Sequence, residues 1–287
     1  MPPRHRLASD YKVKIGLALG GGASRGLAHI AMLEVFDELG VKPSLIVGCS
    51  IGALFGAGYA GGMTGSEIRD HALHTLSNRM DAARHIFRAR RTRFRDIISI
   101  SGFHAFHLDG RKLAEVFLPS HLPKTIEDCS IPFKIVATDY ELLEEVVLTS
   151  GPIKDAVGAS MAVPGFISGP HINGRLHVDG GAMNPVPFNH ARNGNDFVVA
   201  IDVTGKPRPV LGRNPSNIEL AFGASIIMSR EIAELRRRID PPEIYLSPKV
   251  DGFGAADFFR VREILQAAEP AKDVLKRALA LRIEVAG

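Results

Sequence analysis

The feature that most constrains this chain is a pair of back-to-back units. Val13 to Leu19 (VKIGLAL) is a continuous apolar strand that runs straight into Gly20-Gly21-Gly22. Leu27 to Leu39 then carries the apolar spacing of a helix and stops at Gly40. Leu45 to Val47 reads as a second strand, followed by Ile51 to Tyr59, a helix of small residues that has to pack closely against a sheet. Strands joined through helices must lie parallel, so β-α-β-α order predicts an α/β fold with a mostly parallel central sheet and helices on its faces.

The rest of the chain continues in that style. Ile68 to Ile98 reads as a basic helix, Arg111 to Phe117 as another, and Phe133 to Asp139 and Glu145 to Thr149 as strands. Arg175 to Val178 is a short strand ending at Asp179, and Phe197 to Val203 is a buried one. Asn217 to Ile239 is a long helix, and Glu243 to Leu246 is a last strand before C-terminal helices. At 287 residues the chain could hold one large domain or two modest ones. The proline-bearing stretch Gly205 to Pro215 is short and flanked by regular structure, so it reads as a loop. The expected organisation is a tail over 1–12 and a single domain over 13–287.

Hydrophobic residues make up 45% of the chain and charged ones 23%, which excludes disorder, while 35 basic against 31 acidic residues say little about partners. The two cysteines, Cys49 and Cys129, form no CxxC pair. A disulfide framework and a cysteine-rich zinc site are therefore not expected, and a reducing, cytoplasmic compartment fits. Met1 to Lys14 has no apolar run of the signal-peptide kind. Leu45 to Met63 has no charge, but its six glycines make a poor continuous helix, so no membrane span is expected there.

Gly48-Cys49-Ser50-Ile51-Gly52 is a G-x-S-x-G between a predicted strand and a predicted helix. A serine on such a sharp turn projects its hydroxyl clear of the backbone, with Gly48 and Gly52 relieving crowding. The plainer alternative is a turn with a capping serine. Cys49, as neighbour on a sharp turn, is expected to be buried. The Gly20 to Gly26 loop fits neither a dinucleotide fingerprint nor a phosphate loop. Starting from Gly20, the last glycine position of the fingerprint is occupied by Arg25, and Gly26 is followed by Leu27 and Ala28 where a phosphate loop needs Lys and Ser or Thr. What remains is a row of backbone N–H groups backed by a helix N-terminus, an oxyanion hole from Gly20, Gly21, Gly22, Ala23 and Arg25. A tight strand-to-helix crossing is the other reading of those glycines.

A serine nucleophile needs a base. Asp179 ends a strand and precedes Gly180 and Gly181, which allow close backbone approach, so it is a candidate base acting alone. An ordinary aspartate, with a pKa of about 3.9, is too acidic for that task unless desolvated, and an Asx-turn role is the alternative. His190, eleven residues further on, is awkwardly placed for a Ser-Asp-His triad.

Taken in order, a GGGxxRG loop, a GxSxG elbow and a DGG turn resemble the patatin-like phospholipase family, with further echoes at Ala137 to Asp139, Ala159 to Pro164, Asn184 to Pro187 and Asp257-Phe258. The likeness runs over roughly Val13 to Leu281. It implies a three-layer α/β/α sandwich, Ser50 as nucleophile, Asp179 as base, an oxyanion hole from the glycine loop, and calcium-independent hydrolysis of lipid acyl esters. No cofactor is expected, and no metal either, since no carboxylate or cysteine joins His171 and His177 at ligand spacing. Cys49 stands where threonine is frequent in the family, and Ala23-Ser24 where glycine and alanine are. Two further readings stay open: a triad hydrolase using His190, and a regulatory adaptor that keeps the fold. Arg84 to Arg95 holds six arginines with Ile86, Phe87 and Phe94 interleaved. It reads as a solvated face or, through Arg88, Arg90, Arg91 and Arg93, as a peripheral contact with an anionic inner-membrane surface. No nucleic-acid partner is expected.

Overall fold

The computed structural model describes residues 13–77, 108–207, 212 and 214–286. In chain order the strands are β1 Ile15–Leu19, β2 Leu45–Cys49, β3 Leu108–Asp109, β4 Phe133–Asp139, β5 Glu144–Leu148, β6 Ile167–Ser168, β7 His171–Ile172, β8 Arg175–Asp179, β9 Phe197–Ile201 and β10 Ile244–Leu246. The α-helices are α1 Ala28–Glu38, α2 Ile51–Ala60, α3 Gly65–Ser77, α4 Gly110–Phe117, α5 Ile153–Ser160, α6 Asn217–Ile239 and α7 Val261–Ala286.

The main sheet runs β10-β9-β1-β2-β4-β8-β7, with β5 also on β4. β10, β9, β1, β2 and β4 are mutually parallel, as the crossover helices require. β1, β2 and β9 are buried at every position because both sheet faces are covered, which is why they read as unbroken apolar runs. One face is packed by α1, α2, α3 and α7 around Leu17, Leu33, Phe36 and Leu275. The other is closed by Val186, Phe188 and Ala191 and by the Ala233 side of α6. Gly16 lets that second layer sit down on β1, since a Cβ there would stand 2.0 Å from the Ala191 carbonyl oxygen.

Most boundaries fall within a few residues of expectation, and β4 and α6 match it residue for residue. The start of α6 is fixed by a capping box in which Ser216 accepts from the Glu219 amide and the Glu219 carboxylate accepts from that of Ser216. The helix expected over Ile68 to Ile98 is seen as far as Ser77. Its remainder, with Arg84 to Arg95 and so Arg88, Arg90, Arg91 and Arg93, lies outside the described residues, as does the tail 1–12. α5 was not anticipated. It is short and carries Gly158 where α4 crosses it, a Cβ there standing 2.7 Å from the Arg111 amide nitrogen, so its helical period is muted. Among the described residues no helix is long and apolar enough to cross a membrane; α2, inside the uncharged stretch, has ten residues, all buried.

Candidate active site

The site is made where two strands meet end to end. β5 pairs with β4 over Ile135 to Asp139, so β2, which pairs with Phe133 to Val136, and β8, which pairs with Ala137 to Asp139, must share the opposite edge of β4. β2 is parallel to β4 and β8 antiparallel, so their C-terminal ends face each other, with Cys49 opposite Val136 and Asp179 opposite Ala137. Ser50, the next residue after β2, therefore arrives at Asp179. Its hydroxyl donates to Asp179 Oδ2 at 2.6 Å.

Ser50 holds φ 54° and ψ −123°, a region costly for a side-chain-bearing residue, as it turns the chain from β2 into α2. Gly48 and Gly52 make that turn possible. A Cβ on Gly52 would lie 2.1 Å from the Leu19 carbonyl oxygen, and one on Gly48 2.5 Å from Ala53 Cα. The Ser50 amide donates to Ser160 Oγ at 2.7 Å. On the acid side, Oδ1 of Asp179 accepts from the Gly181 amide at 2.7 Å and the Asp179 carbonyl accepts from Thr138 Oγ1 at 3.1 Å. Burial pushes the Asp179 carboxyl up to about 6, although the hydrogen bonds from Ser50 and Gly181 pull the other way. The desolvation that a lone aspartate needs is thus present.

The glycine loop lies alongside the elbow: a Cβ on Gly21 would stand 3.2 Å from Ser50 Cβ. Its five residues are not equivalent, which corrects the reading of the whole loop as a row of donors. The Gly20 amide donates to the Ile201 carbonyl at 3.0 Å and the Gly21 amide to the Pro185 carbonyl at 2.8 Å, so both are taken up in anchoring the loop. Gly22 and Ala23 stand at the start of the 3-10 helix Ala23–Leu27, where amides have no acceptor within the helix. Ala23 has φ 52°, and a Cβ on Gly22 would stand 2.0 Å from the Val203 carbonyl oxygen. The buried Arg25 guanidinium donates to the carbonyls of Val203, Thr204 and Phe253, at 3.2, 2.6 and 3.2 Å. It braces the loop against the chain beyond β9.

Two residues that touch this assembly carry no role in the sequence reading: Ser160, which lies within the Ala159 to Pro164 stretch, and His29, which the sequence did not single out. His29 lies fully buried in the first turn of α1, with Nε2 2.8 Å from the Gly20 carbonyl oxygen. A carbonyl only accepts, so the proton sits on Nε2 and Nδ1 is a bare acceptor, without a partner among the described residues. Burial pushes this imidazole down to about 4. The one sequence signal was a histidine inside the apolar run of α1. His190, by contrast, is bound to Glu145, with Nε2 2.6 Å from Oε1, and Glu145 also accepts from Asn184 and Arg236. Asp179, not His190, is the titratable group on the Ser50 hydroxyl. Cys49 is buried, and burial pushes its thiol well above the ordinary value. Gly180 keeps β4 within reach, since a Cβ there would stand 2.4 Å from the Val136 carbonyl oxygen, and one on Gly181 would stand 2.9 Å from Asp179 Oδ1. No group of three or more His, Cys, Asp or Glu side chains placed to hold a metal ion occurs among the described residues.

The model of the patatin-like phospholipase family matches residues 17–192, from β1 to just past Phe188–Ala191. This chain belongs to that family. An uncharacterised NTE family protein of Mycobacterium tuberculosis is 30% identical over 210 residues, covering 71% of this chain and 53% of that protein. Lysophospholipase NTE1 of Cryptococcus neoformans is 34% identical over 193 residues, covering 66% of this chain and 11% of that protein. The chain thus spans about half the length of the mycobacterial relatives it matches. The patatin-like fold is seen again in VipD from Legionella pneumophila, with a TM-score of 0.51 at 13% identity, covering 93% of this chain and 67% of that one.

His29 gives the patatin-like domain an acid sensitivity. An imidazole held at about 4 when folded, against an ordinary value of 6.5, binds its proton more readily in the unfolded chain. Stability is then lost as pH falls from 6.5 towards 4, by about 1.4 kcal/mol per pH unit at most. His29→Gln keeps a donor for the Gly20 carbonyl without titrating. The melting temperature of the parent should therefore drop more steeply over that window than that of the variant, and parallel curves would contradict a buried neutral His29.

Proposed function

We propose that this chain is a serine acyl hydrolase of lipid esters, of the phospholipase A or lysophospholipase type, working through a Ser50-Asp179 dyad. The observation that carries the reading is the 2.6 Å hydrogen bond from the Ser50 hydroxyl to a carboxylate that is buried and pushed up to about 6. A hydroxyl already donating to a base of raised affinity for protons loses its own proton more readily as it attacks. Membership of the patatin-like family supports the reaction class, and the printed name of the Cryptococcus neoformans relative supports the substrate class.

In the first half-reaction Ser50 Oγ bonds to the ester carbonyl carbon while its proton passes to Asp179 Oδ2. The carbonyl oxygen becomes an oxyanion, for which Gly22 and Ala23 supply the amides, at the head of the 3-10 helix and with Arg25 and His29 fixing the loop behind them. The intermediate collapses by breaking the bond to the alcohol, which leaves with the proton from Asp179. A water molecule then gives its proton to Asp179 as it attacks the acyl-Ser50 carbon; the bond from that carbon to Ser50 Oγ breaks, Oγ takes the proton back from Asp179, and the fatty acid is released. One carboxylate serves as base and acid in turn, so a histidine is not needed.

The acyl substrate is met in a lipid aggregate, and the proposal includes a peripheral contact with an anionic membrane surface on the cytoplasmic side, through Arg88, Arg90, Arg91 and Arg93. The support for that contact is the sequence pattern of Arg84 to Arg95.

For the dyad, Ser50→Ala and Asp179→Asn should each lower hydrolysis of a short soluble ester by ~10³-fold or more, while His190→Ala changes it by less than ~10-fold. The sign of the pH dependence follows from the base: below about 6 Asp179 is protonated and cannot accept, so kcat/KM should rise through an apparent pKa near 6 and level off above it. A folded but inactive His190→Ala protein, or a profile flat from pH 5 to 8, would refute the dyad. For the surface contact, changing Arg88, Arg90, Arg91 and Arg93 to glutamine should weaken binding to anionic vesicles, each charge being worth about 1 kcal/mol, without altering soluble-ester turnover. Equal vesicle binding at low salt would remove that part of the reading.

A further inference from the structure

The β2–β4 ladder stops one rung short of where its register would carry it. The Ile46 amide donates to the Pro132 carbonyl at 2.9 Å, and a parallel ladder advances two residues on each strand per rung. The second rung after it would join the Ser50 amide to the Val136 carbonyl. Instead both groups are satisfied by one side chain: the Ser50 amide donates to Ser160 Oγ at 2.7 Å, and Ser160 Oγ donates to the Val136 carbonyl at 2.6 Å. The polarity is forced, because an amide can only donate and a carbonyl only accept, so the single hydroxyl proton of Ser160 must point at Val136. Ser160 is the last residue of α5 and is completely buried.

We infer that Ser160 is a positioning residue for the nucleophile, its hydroxyl inserted as a surrogate rung that splays β2 from β4 and fixes the strained elbow with Ser50 Oγ on Asp179. The inference rests on the acyl-hydrolase reading for its kinetic consequence, though the rung itself does not. Three features make the insertion selective. A direct rung would draw the Ser50 backbone towards β4, away from the turn that φ 54° describes. Gly180, lacking a Cβ that would stand 2.4 Å from the Val136 carbonyl oxygen, leaves that oxygen open to Ser160. Finally, β4 also steadies the acid, through the hydrogen bond from Thr138 to the Asp179 carbonyl, so Ser160 ties the nucleophile to the strand that already holds the base. Donation to Val136 polarises the Ser160 hydroxyl and makes its oxygen a better acceptor for the Ser50 amide. In Ser160→Ala the amide and the carbonyl are both left buried without their partner; they close on one another or admit water, and either shift moves Oγ relative to Asp179.

The test compares parent, Ser160→Ala and Ser160→Thr for turnover of a short soluble p-nitrophenyl ester, together with melting temperature and amide hydrogen exchange at Ser50. Ser160→Ala should lower kcat by ~10- to 100-fold with KM within ~3-fold of the parent, and Ser160→Thr, which keeps the hydroxyl, should recover most of that loss. In the parent protein the Ser50 amide should exchange as slowly as that of Gly48 in the regular ladder. Parental kcat in a folded Ser160→Ala protein, equal impairment in the alanine and threonine variants, or fast exchange at Ser50 in the parent would each overturn the role of Ser160. If the alanine variant does not fold, the threonine variant and exchange in the parent decide. A parent without turnover would instead overturn the acyl-hydrolase reading, while slow exchange at Ser50 would still uphold the rung.

Discussion

The contact between Ser50 and Asp179 depends on an edge of β4 that is shared by two strands running towards each other. β2 occupies the first part of that edge and β8 the second, and neither can slip by a residue without separating the hydroxyl from the carboxylate. Much else in the fold can be read as holding that junction. The glycines of the elbow let α2 start directly behind the Leu19 carbonyl, and Gly180 lets the turn after β8 pass over the Val136 carbonyl.

Assembling the junction opposes stability in two ways. Ser50 is held in a region of backbone space that a serine avoids, and Asp179 is taken out of water with one amide and one hydroxyl as its side-chain partners. Such arrangements persist only where the surroundings over-determine them. Here the surroundings are the fully buried β1, β2 and β9 and the Arg25 guanidinium, which joins the glycine loop to the segments after β9 and before α7. The same burial that opposes folding raises the proton affinity of Asp179, so one physical effect carries both the liability and the chemistry we assign to it.

The parallel half of the fold was legible in the sequence because strands buried on both faces have no alternation to disguise them: VKIGLAL, LIV and FVVAI stand out at once. The G-x-S-x-G and the glycine loop were legible for a related reason, since close backbone approach leaves a mark in residue type. The end-on arrangement of β2 and β8 was not, because antiparallel pairing of so short a strand depends on partners distant in sequence. α5 escaped through Gly158 and its shortness, and with it the placement of Ser160, which the Ala159 to Pro164 stretch marked without a role. Which loop amides are left for an anion was invisible as well. That depends on the Ile201 and Pro185 carbonyls, which the sheet, and not the local sequence, brings to Gly20 and Gly21.

The central claim is that Ser50, activated by Asp179, is the group that takes the acyl chain. A fluorophosphonate reacts covalently with an activated serine, so mapping its adduct by peptide mass spectrometry tests the claim most directly. The account predicts one adduct, on Ser50, in the parent protein and none in a folded Asp179→Asn variant. An adduct on another residue, a parent protein that remains unlabelled, or undiminished labelling of Ser50 without the Asp179 carboxylate would contradict it.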